Sequence, residues 1–165
     1  MPFLTFGHGT ASQEQITELL TGAGVELLVD VRTAPGSRRN PQVGREELQR
    51  WLPEAGIAYR WERELGGFRK PATDSPDVVW RNASFRGYAG YTRTGGFLTA
   101  VDRLLGDSKL LDQSRDAMTA VMCSETLWWR CHRRIIADFL VCARGVDVRH
   151  LMHDGSLAPH AVTPG

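Results

Sequence analysis

No stretch of this chain approaches the ~20 consecutive apolar residues that a bilayer-spanning helix needs. Its opening segment, Met1-Pro-Phe-Leu-Thr-Phe-Gly-His8, has neither the charged start nor the long apolar core of a secretory leader. Charge imbalance is lacking too. With 20 Lys and Arg against 19 Asp and Glu, the formal net charge is +1, so no global field attracts nucleic acid or an anionic membrane. Cysteine is scarce: Cys123, Cys131 and Cys142 make an odd number, in a chain long enough to bury a core without cross-links. That argues against a disulfide framework and for a reducing compartment, with the cytoplasm as the expected location and no membrane partner. Internal repeats and low-complexity tracts are absent as well.

What is present is a run of alternating signals. Phe3 to Gly7 is a short apolar run that ends in Gly-His-Gly, a strand delivered into a turn. Ser12 with Gln15 forms a capping box, followed by Ile16, Leu19 and Leu20 on one helical face. Gly22 and Gly24 stop that helix, and Val25 to Val31 is a near-continuous apolar strand, as burial on both faces requires. After a Pro-, Gly- and Arg-rich stretch from Arg32 to Gly44, a helix begins near Arg45 with Leu48, Trp51 and Leu52 inward. Ile57–Trp61 reads as a third strand. Residues 70 to 95 are the least regular and read as a surface excursion. Phe97, Val101, Leu104 and Leu105 mark a helix, Thr119–Cys123 a fourth strand, Leu127–Ala143 the longest helix, and Val146–His153 a fifth strand.

This alternation predicts a single three-layer α/β domain over residues 1–157, a mostly parallel five-stranded sheet with helices on both faces. Residues 158–165 are expected to form a loose tail. In such sheets ligands bind beyond the carboxyl ends of the strands. That rule gathers His8, Asp30, Arg32, the Glu64 turn, Cys123, Glu125, His153 and Asp154 along one edge.

The sharpest segment is Met122-Cys-Ser-Glu-Thr-Leu-Trp-Trp-Arg-Cys-His-Arg133. A thiol at Cys123, between a strand end and a helix start, would face unpaired N–H groups and a positive dipole that favour thiolate or a bound anion. Placed on the helix one turn before Ile135 and Ile136, Cys131 and His132 would point to the same edge. Such a histidine is as readily a satisfied core residue as a catalyst. Three templates bear on the segment. A cysteine phosphatase needs arginine six positions after its cysteine, where this chain has Trp129. A zinc site of Cys123, Cys131, His132 and Glu125 is opposed by the ~100° between adjacent helical residues. A rhodanese-type sulfurtransferase also has Asp-Val-Arg ending a strand and a cysteine ending a later one, but this chain lacks its compact cysteine loop. Asp30 can hold Arg32 in a two-pronged bond and present it at the cleft, with Ser37 and Arg38 extending an anion site, or the pair can simply fix the loop.

Phe6-Gly-His8, Asp30-Val-Arg32 with Pro35 and Ser37-Arg38, Tyr59, Leu65-Gly-Gly67, Tyr88, Met122-Cys-Ser-Glu125, Cys131-His-Arg133 and His150 to Gly155 together resemble the domain of unknown function 488 family, over residues 3 to 156. Gly9 stands where that family often has serine. The resemblance implies a bacterial or archaeal cytosolic α/β domain and no established activity.

These residues predict a cleft for an anionic group, such as phosphate on a nucleotide or nucleic acid. Cys123, Glu125 and His132 stand nearest the chemistry, and His8, Asp30, Arg32, Ser37, Arg38, Tyr88, Cys131, Arg133, His153 and Asp154 bind the ligand. A hydrolase or transferase without cofactor or metal is the expected class. The alternatives are a non-catalytic nucleic-acid module using Arg38, Arg39, Trp51, Trp61, Phe85, Tyr88 and Tyr91, and a metal-bound structural domain. Oligomeric state has no signal in the sequence.

Overall fold

A computed structural model describes residues 3–32, 40–66, 88, 91, 92, 94–110 and 118–162. Its frame is a six-stranded sheet in the order β3-β2-β4-β1-β5-β6. The strands are β1 (Phe3–Gly7), β2 (Leu27–Asp30), β3 (Ala58–Trp61), β4 (Thr119–Cys123), β5 (Val148–Leu151) and β6 (Leu157–Pro159). The first five run parallel, and only β6 pairs antiparallel, with β5. The helices α1 (Gln13–Gly22) and α2 (Arg45–Trp51) follow β1 and β2, while α3 (Gly95–Leu110) and α4 (Arg133–Arg144) precede β4 and β5. The mostly parallel α/β architecture is thus as the alternation predicts, with one strand more.

Two cores flank the sheet. Ile16 and Leu20 of α1 and Leu48 and Trp51 of α2 pack with Leu4, Phe6, Leu28 and Met122 on one face. Phe97, Val101 and Leu104 of α3 and Ile135, Ile136 and Leu140 of α4 pack with Phe3, Val29, Val121 and Val148 on the other. Strand side chains alternate between faces, so neighbours in sequence enter different cores. The capping box at the head of α1 is formed in both directions, Gln15 N–H to Ser12 Oγ and Ser12 N–H to Gln15 Oε1.

Two expectations shift. The segment before α4 is not helical: Trp128–Arg130 make a single 3-10 turn, Cys131 is extended, and α4 starts at Arg133. At 16 residues, α3 is therefore the longer helix. The loose tail does not begin at Ala158, because Leu157–Pro159 hydrogen-bond to β5 and the His160 ring is held between His150 and Asp138. Most of the expected excursion of 70–95 lies outside the described residues. Among the described residues no helix is long and apolar enough to cross a membrane.

Chain direction reverses between β1 and β4. From β1 the chain leaves towards β2 over one face, and from β4 towards β5 over the other. Such a switch point is where an open parallel sheet offers its crevice. Here the two exits stay zipped for two residues more, with His8 N–H to Cys123 O at 3.0 Å and Gly9 N–H to Ser124 O at 2.9 Å.

Candidate functional site

The edge gathers the expected side chains into two clusters, one on each face of the sheet. On the α1/α2 face the centre is Asp30, fully buried at the end of β2. Its Oδ1 accepts Arg32 Nε at 2.8 Å and the Arg32 backbone N–H at 3.0 Å; Oδ2 accepts Arg32 Nη2 and the Tyr59 hydroxyl, each at 2.6 Å. Arg32 also donates from Nη2 to Val43 O at 2.8 Å and lies with Nη1 3.4 Å from His8 Nε2. Since guanidinium only donates, His8 Nε2 accepts there and its Nδ1–H donates to Gly9 O at 2.8 Å. Burial, aided by Arg32, lowers the His8 pKa and keeps the ring neutral. Burial and the Asp30 charge push the Tyr59 hydroxyl far up, so it stays a donor.

On the α3/α4 face the centre is Cys131. Its sulfur lies 3.4 Å from Nδ1 of His132, whose Nε2–H donates to Val31 O at 2.8 Å. That second bond fixes the tautomer and leaves the Nδ1 lone pair toward the thiol. Tyr88, buried and bonded to Leu65 O at 2.9 Å, packs its ring 5.1 Å from the imidazole. Arg133, 1% exposed, donates from Nη2 to Glu125 O at 2.7 Å and Thr126 O at 2.9 Å, and from Nη1 to Thr5 Oγ1 at 3.0 Å. Its Nε is buried with no hydrogen-bond partner. The Cys123 thiol points toward Glu125 O at 3.6 Å and neighbours the Cys131 sulfur.

Acidity divides unequally between the two thiols. Burial, and the neighbouring Cys131 sulfur, push Cys123 well up. Burial works against ionising Cys131 as well, but it is outweighed by the Cys123 thiol, the Arg133 charge and the Arg133 backbone N–H, and its pKa falls. The low-pKa thiol expected at Cys123 therefore falls at Cys131. The extended backbone at Cys131 puts that residue, and not Cys123, at the head of α4, where the helix dipole acts. Cys142 is exposed on α4.

The structure separates other residues that the edge rule gathers. Arg32 and Cys123 share an edge but not a face: Asp30 follows Leu28 inward on one side, Cys123 follows Val121 on the other. The Glu125 carboxylate caps its own turn, accepting Leu127 N–H at 3.2 Å, and its contribution to the thiol cluster is its backbone oxygen. His153 donates to Gly7 O at 2.6 Å and lines, with Asp154, an open cleft against α1. Asp154 is taken up by Ser156 in the β5–β6 turn. Ser37, Arg38 and Arg39 lie outside the described residues, as does Phe85. Trp51 and Tyr88 are buried and present no stacking surface, and Trp61 carries the Arg45 guanidinium 4.8 Å from its ring centre. Among the described residues no three His, Cys, Asp or Glu side chains are grouped to hold a metal.

Residues that sequence reasoning missed adjoin the thiol cluster. Thr5, His150, His160 and Asp138 form a hydrogen-bonded line that begins at Arg133. Thr5 and His150 could have been flagged, since each is polar at an inward position of a strand whose other inward residues are apolar. His160 carries no such signal.

Three histidines give the fold a predicted acid sensitivity. His8 and His132 have lowered pKa values from burial, and His150 is lowered to about 3 by burial, then by His160 and Arg133. An unfolded chain takes up protons near 6.5 that the folded rings refuse. Their contribution is therefore complete above about pH 6.5 and is lost as pH falls from there toward 3. A thermal melting midpoint that declines steadily from pH 6.5 to 4 is expected; a flat midpoint would mean that these rings are solvated.

Residues 12–140 match the family model described as Domain of unknown function DUF488. No curated protein and no solved structure matches the chain.

Proposed function

The chain belongs to the DUF488 family, and from that membership and the site above we propose that it is a cysteine-dependent enzyme, a hydrolase or transferase. Cys131 is its nucleophile and His132 its proton acceptor. One observation carries the reading: the buried Nε–H of Arg133 has no partner, while the same guanidinium bears on the Cys131 sulfur. A buried donor left unmade costs about 1–3 kcal/mol, more when charged. A neutral thiol satisfies it poorly and a thiolate satisfies it well. Around that sulfur stand the Arg133 guanidinium, the Arg133 backbone N–H at the start of α4 and the Cys123 thiol, an arrangement suited to a negative sulfur.

The chemistry follows from those positions. Cys131 gives its proton to His132 Nδ1, which Val31 O holds in the accepting tautomer. Its sulfur attacks an electrophilic centre, the transferred group becomes bonded to sulfur, and His132 returns the proton to the departing group. Water or a second acceptor then removes the group from sulfur. An anionic substituent next to the attacked atom would meet the same donors, so the substrate we propose is a small anionic electrophile. Arg32 takes no part in holding it. Its N–H groups are engaged by Asp30, Val43 and His8 on the opposite face.

The test is the pH dependence of alkylation by iodoacetamide, resolved by peptide mass spectrometry. Cys131 should react with a midpoint below the ordinary thiol value of about 8.5, and Cys123 with one above it. Equal, ordinary midpoints for both would refute the assignment.

A further inference from the structure

We propose that His160 and Asp138 are positioning residues of the Cys131 site, acting through a one-way hydrogen-bond chain that ends on Arg133. This rests on the thiol reading given above and extends the site to β5, β6 and the middle of α4. The chain is Arg133 Nη1 to Thr5 Oγ1 at 3.0 Å, Thr5 to His150 Nδ1, His150 Nε2 to His160 Nδ1 at 2.8 Å, and His160 Nε2 to Asp138 Oδ1 at 2.6 Å.

Chemistry fixes the direction of each bond. A guanidinium can only donate and a carboxylate can only accept, which fixes the two ends; with both rings neutral, the sense that gives every member a partner runs one way from Arg133 to Asp138. Thr5 accepts from Arg133 and turns its own hydrogen to His150 Nδ1. His150 then carries its proton on Nε2 and gives it to His160 Nδ1. His160 carries its proton on Nε2 and gives it to Asp138. In that sense each ring carries one proton, on Nε2, and the lowered pKa of His150 agrees with its part in it. Protonating His160 sets its Nδ1–H against the Nε2–H of His150, unless the donors from His160 back to Thr5 reverse.

The setting shows why such a chain matters to the thiol. Thr5 and His150 occupy inward positions of β1 and β5, beside Phe3 and Val148, where an apolar side chain would be the simpler choice. Buried polar groups persist when every member is satisfied, and a satisfied network fixes one geometry. Here the fixed object is Arg133, the group that bears on Cys131. The thiol's own loop is pinned to the same chain from another side. Trp128 stacks on the His150 ring with centroids 4.2 Å apart and planes 2° from parallel, and its carbonyl accepts the Cys131 N–H at 3.3 Å. The groups facing His150 are thus Thr5 of β1, Arg133 and Asp138 of α4, Trp128 of the loop and His160 after β6.

The experiment compares the wild-type chain with His160→Leu and His160→Gln, reading the alkylation midpoint of Cys131 by iodoacetamide. Leucine ends the chain at His150, whereas glutamine offers one acceptor and one donor. We expect His160→Leu to raise the Cys131 midpoint by about one unit, slowing alkylation at pH 7 about tenfold, with His160→Gln close to wild type. A folded His160→Leu protein with an unshifted midpoint overturns the proposal. A second readout needs no variant: imidazole ¹⁵N shifts of the wild-type protein should show His150 and His160 both neutral with protons on Nε2 at pH 7. A proton on Nδ1 of either ring breaks the sequence of donors and rejects the chain, however Cys131 titrates. If instead the tautomers are as stated while wild-type Cys131 titrates as an ordinary thiol, the nucleophile reading fails, and with it the positioning role.

Discussion

Replacing Asp30 with alanine should lower the unfolding free energy by about 3–5 kcal/mol, the range for removing one partner of a buried ion pair. Asp30 is fully buried and Arg32 is 7% exposed, and the carboxylate accepts from Arg32 twice, from the Arg32 backbone and from the Tyr59 hydroxyl. Alanine leaves a guanidinium in a low-dielectric setting with only Val43 O and His8 Nε2 for company. The Tyr59 hydroxyl loses its acceptor in the same step. Urea denaturation measures the effect. The double replacement Asp30→Leu with Arg32→Met should recover most of the loss, because two apolar groups of similar reach leave no charge behind. A single-variant loss under about 1 kcal/mol would mean that water already reaches the pair, as for an exposed ion pair.

This prediction also separates two meanings of Asp-Val-Arg. As a ligand arm, Arg32 would be dispensable for folding; as the centre of a buried network, it is not. Its two-pronged bond to Asp30 was legible in the residues, but the sharing of its remaining donors with Val43 and His8 was not. That sharing depends on where the turn at 41–43 returns, and no local pattern encodes it. Convergence at the edge was similarly half legible. Val31 and His132, 101 positions apart, do meet. Yet the strand alternation that puts Asp30 with Leu28 and Cys123 with Val121 sends the two clusters to opposite faces, which the position of a residue at a strand end does not reveal.

The fold itself was readable because apolar strands and amphipathic helices alternate on both sides of the irregular stretch at 70–95. The misses have local causes. Strand β6 is three residues with a proline, too short and too interrupted to announce itself, as suits an edge. The start of α4 was misplaced because Leu127, Trp128 and Cys131 continue the apolar texture of the helix while their backbone does not. That misplacement is chemically consequential. Inside a helix, Cys131 and His132 would diverge by about 100°; across an extended-to-helix junction their reactive atoms come within 3.4 Å.

The last large effect is expected at Gly7, the final residue of β1. A Cβ built there would fall on the Glu125 carbonyl oxygen, 2.6 Å from the Glu125 carbonyl carbon and 2.7 Å from Arg133 Nη2. That carbonyl is the acceptor for Arg133 Nη2 and faces the Cys123 thiol. Relief by sliding the strand exits apart is closed off, because His8 N–H to Cys123 O and Gly9 N–H to Ser124 O zip them together. Gly9 adds to the constraint: it is left-handed, φ 51°, with the Thr126 hydroxyl where a side chain would start. Gly7→Ala must therefore displace the Glu125 peptide, overpacking a tight site at about 1–3 kcal/mol and breaking a charged hydrogen bond worth about 1.5–3 kcal/mol. A loss of about 3 kcal/mol or more is expected. In whatever protein stays folded, Cys131 alkylation at pH 7 should slow at least about tenfold, because the guanidinium beside it is no longer held. Gly22→Ala, with nothing within 4 Å of its Cβ at the end of α1, is the matched control and should change neither quantity appreciably. If Gly7→Ala were as stable as the wild type and its Cys131 as reactive, Arg133 would not be gripped by the Glu125 carbonyl, and the thiolate would lack the partner on which its acidity depends.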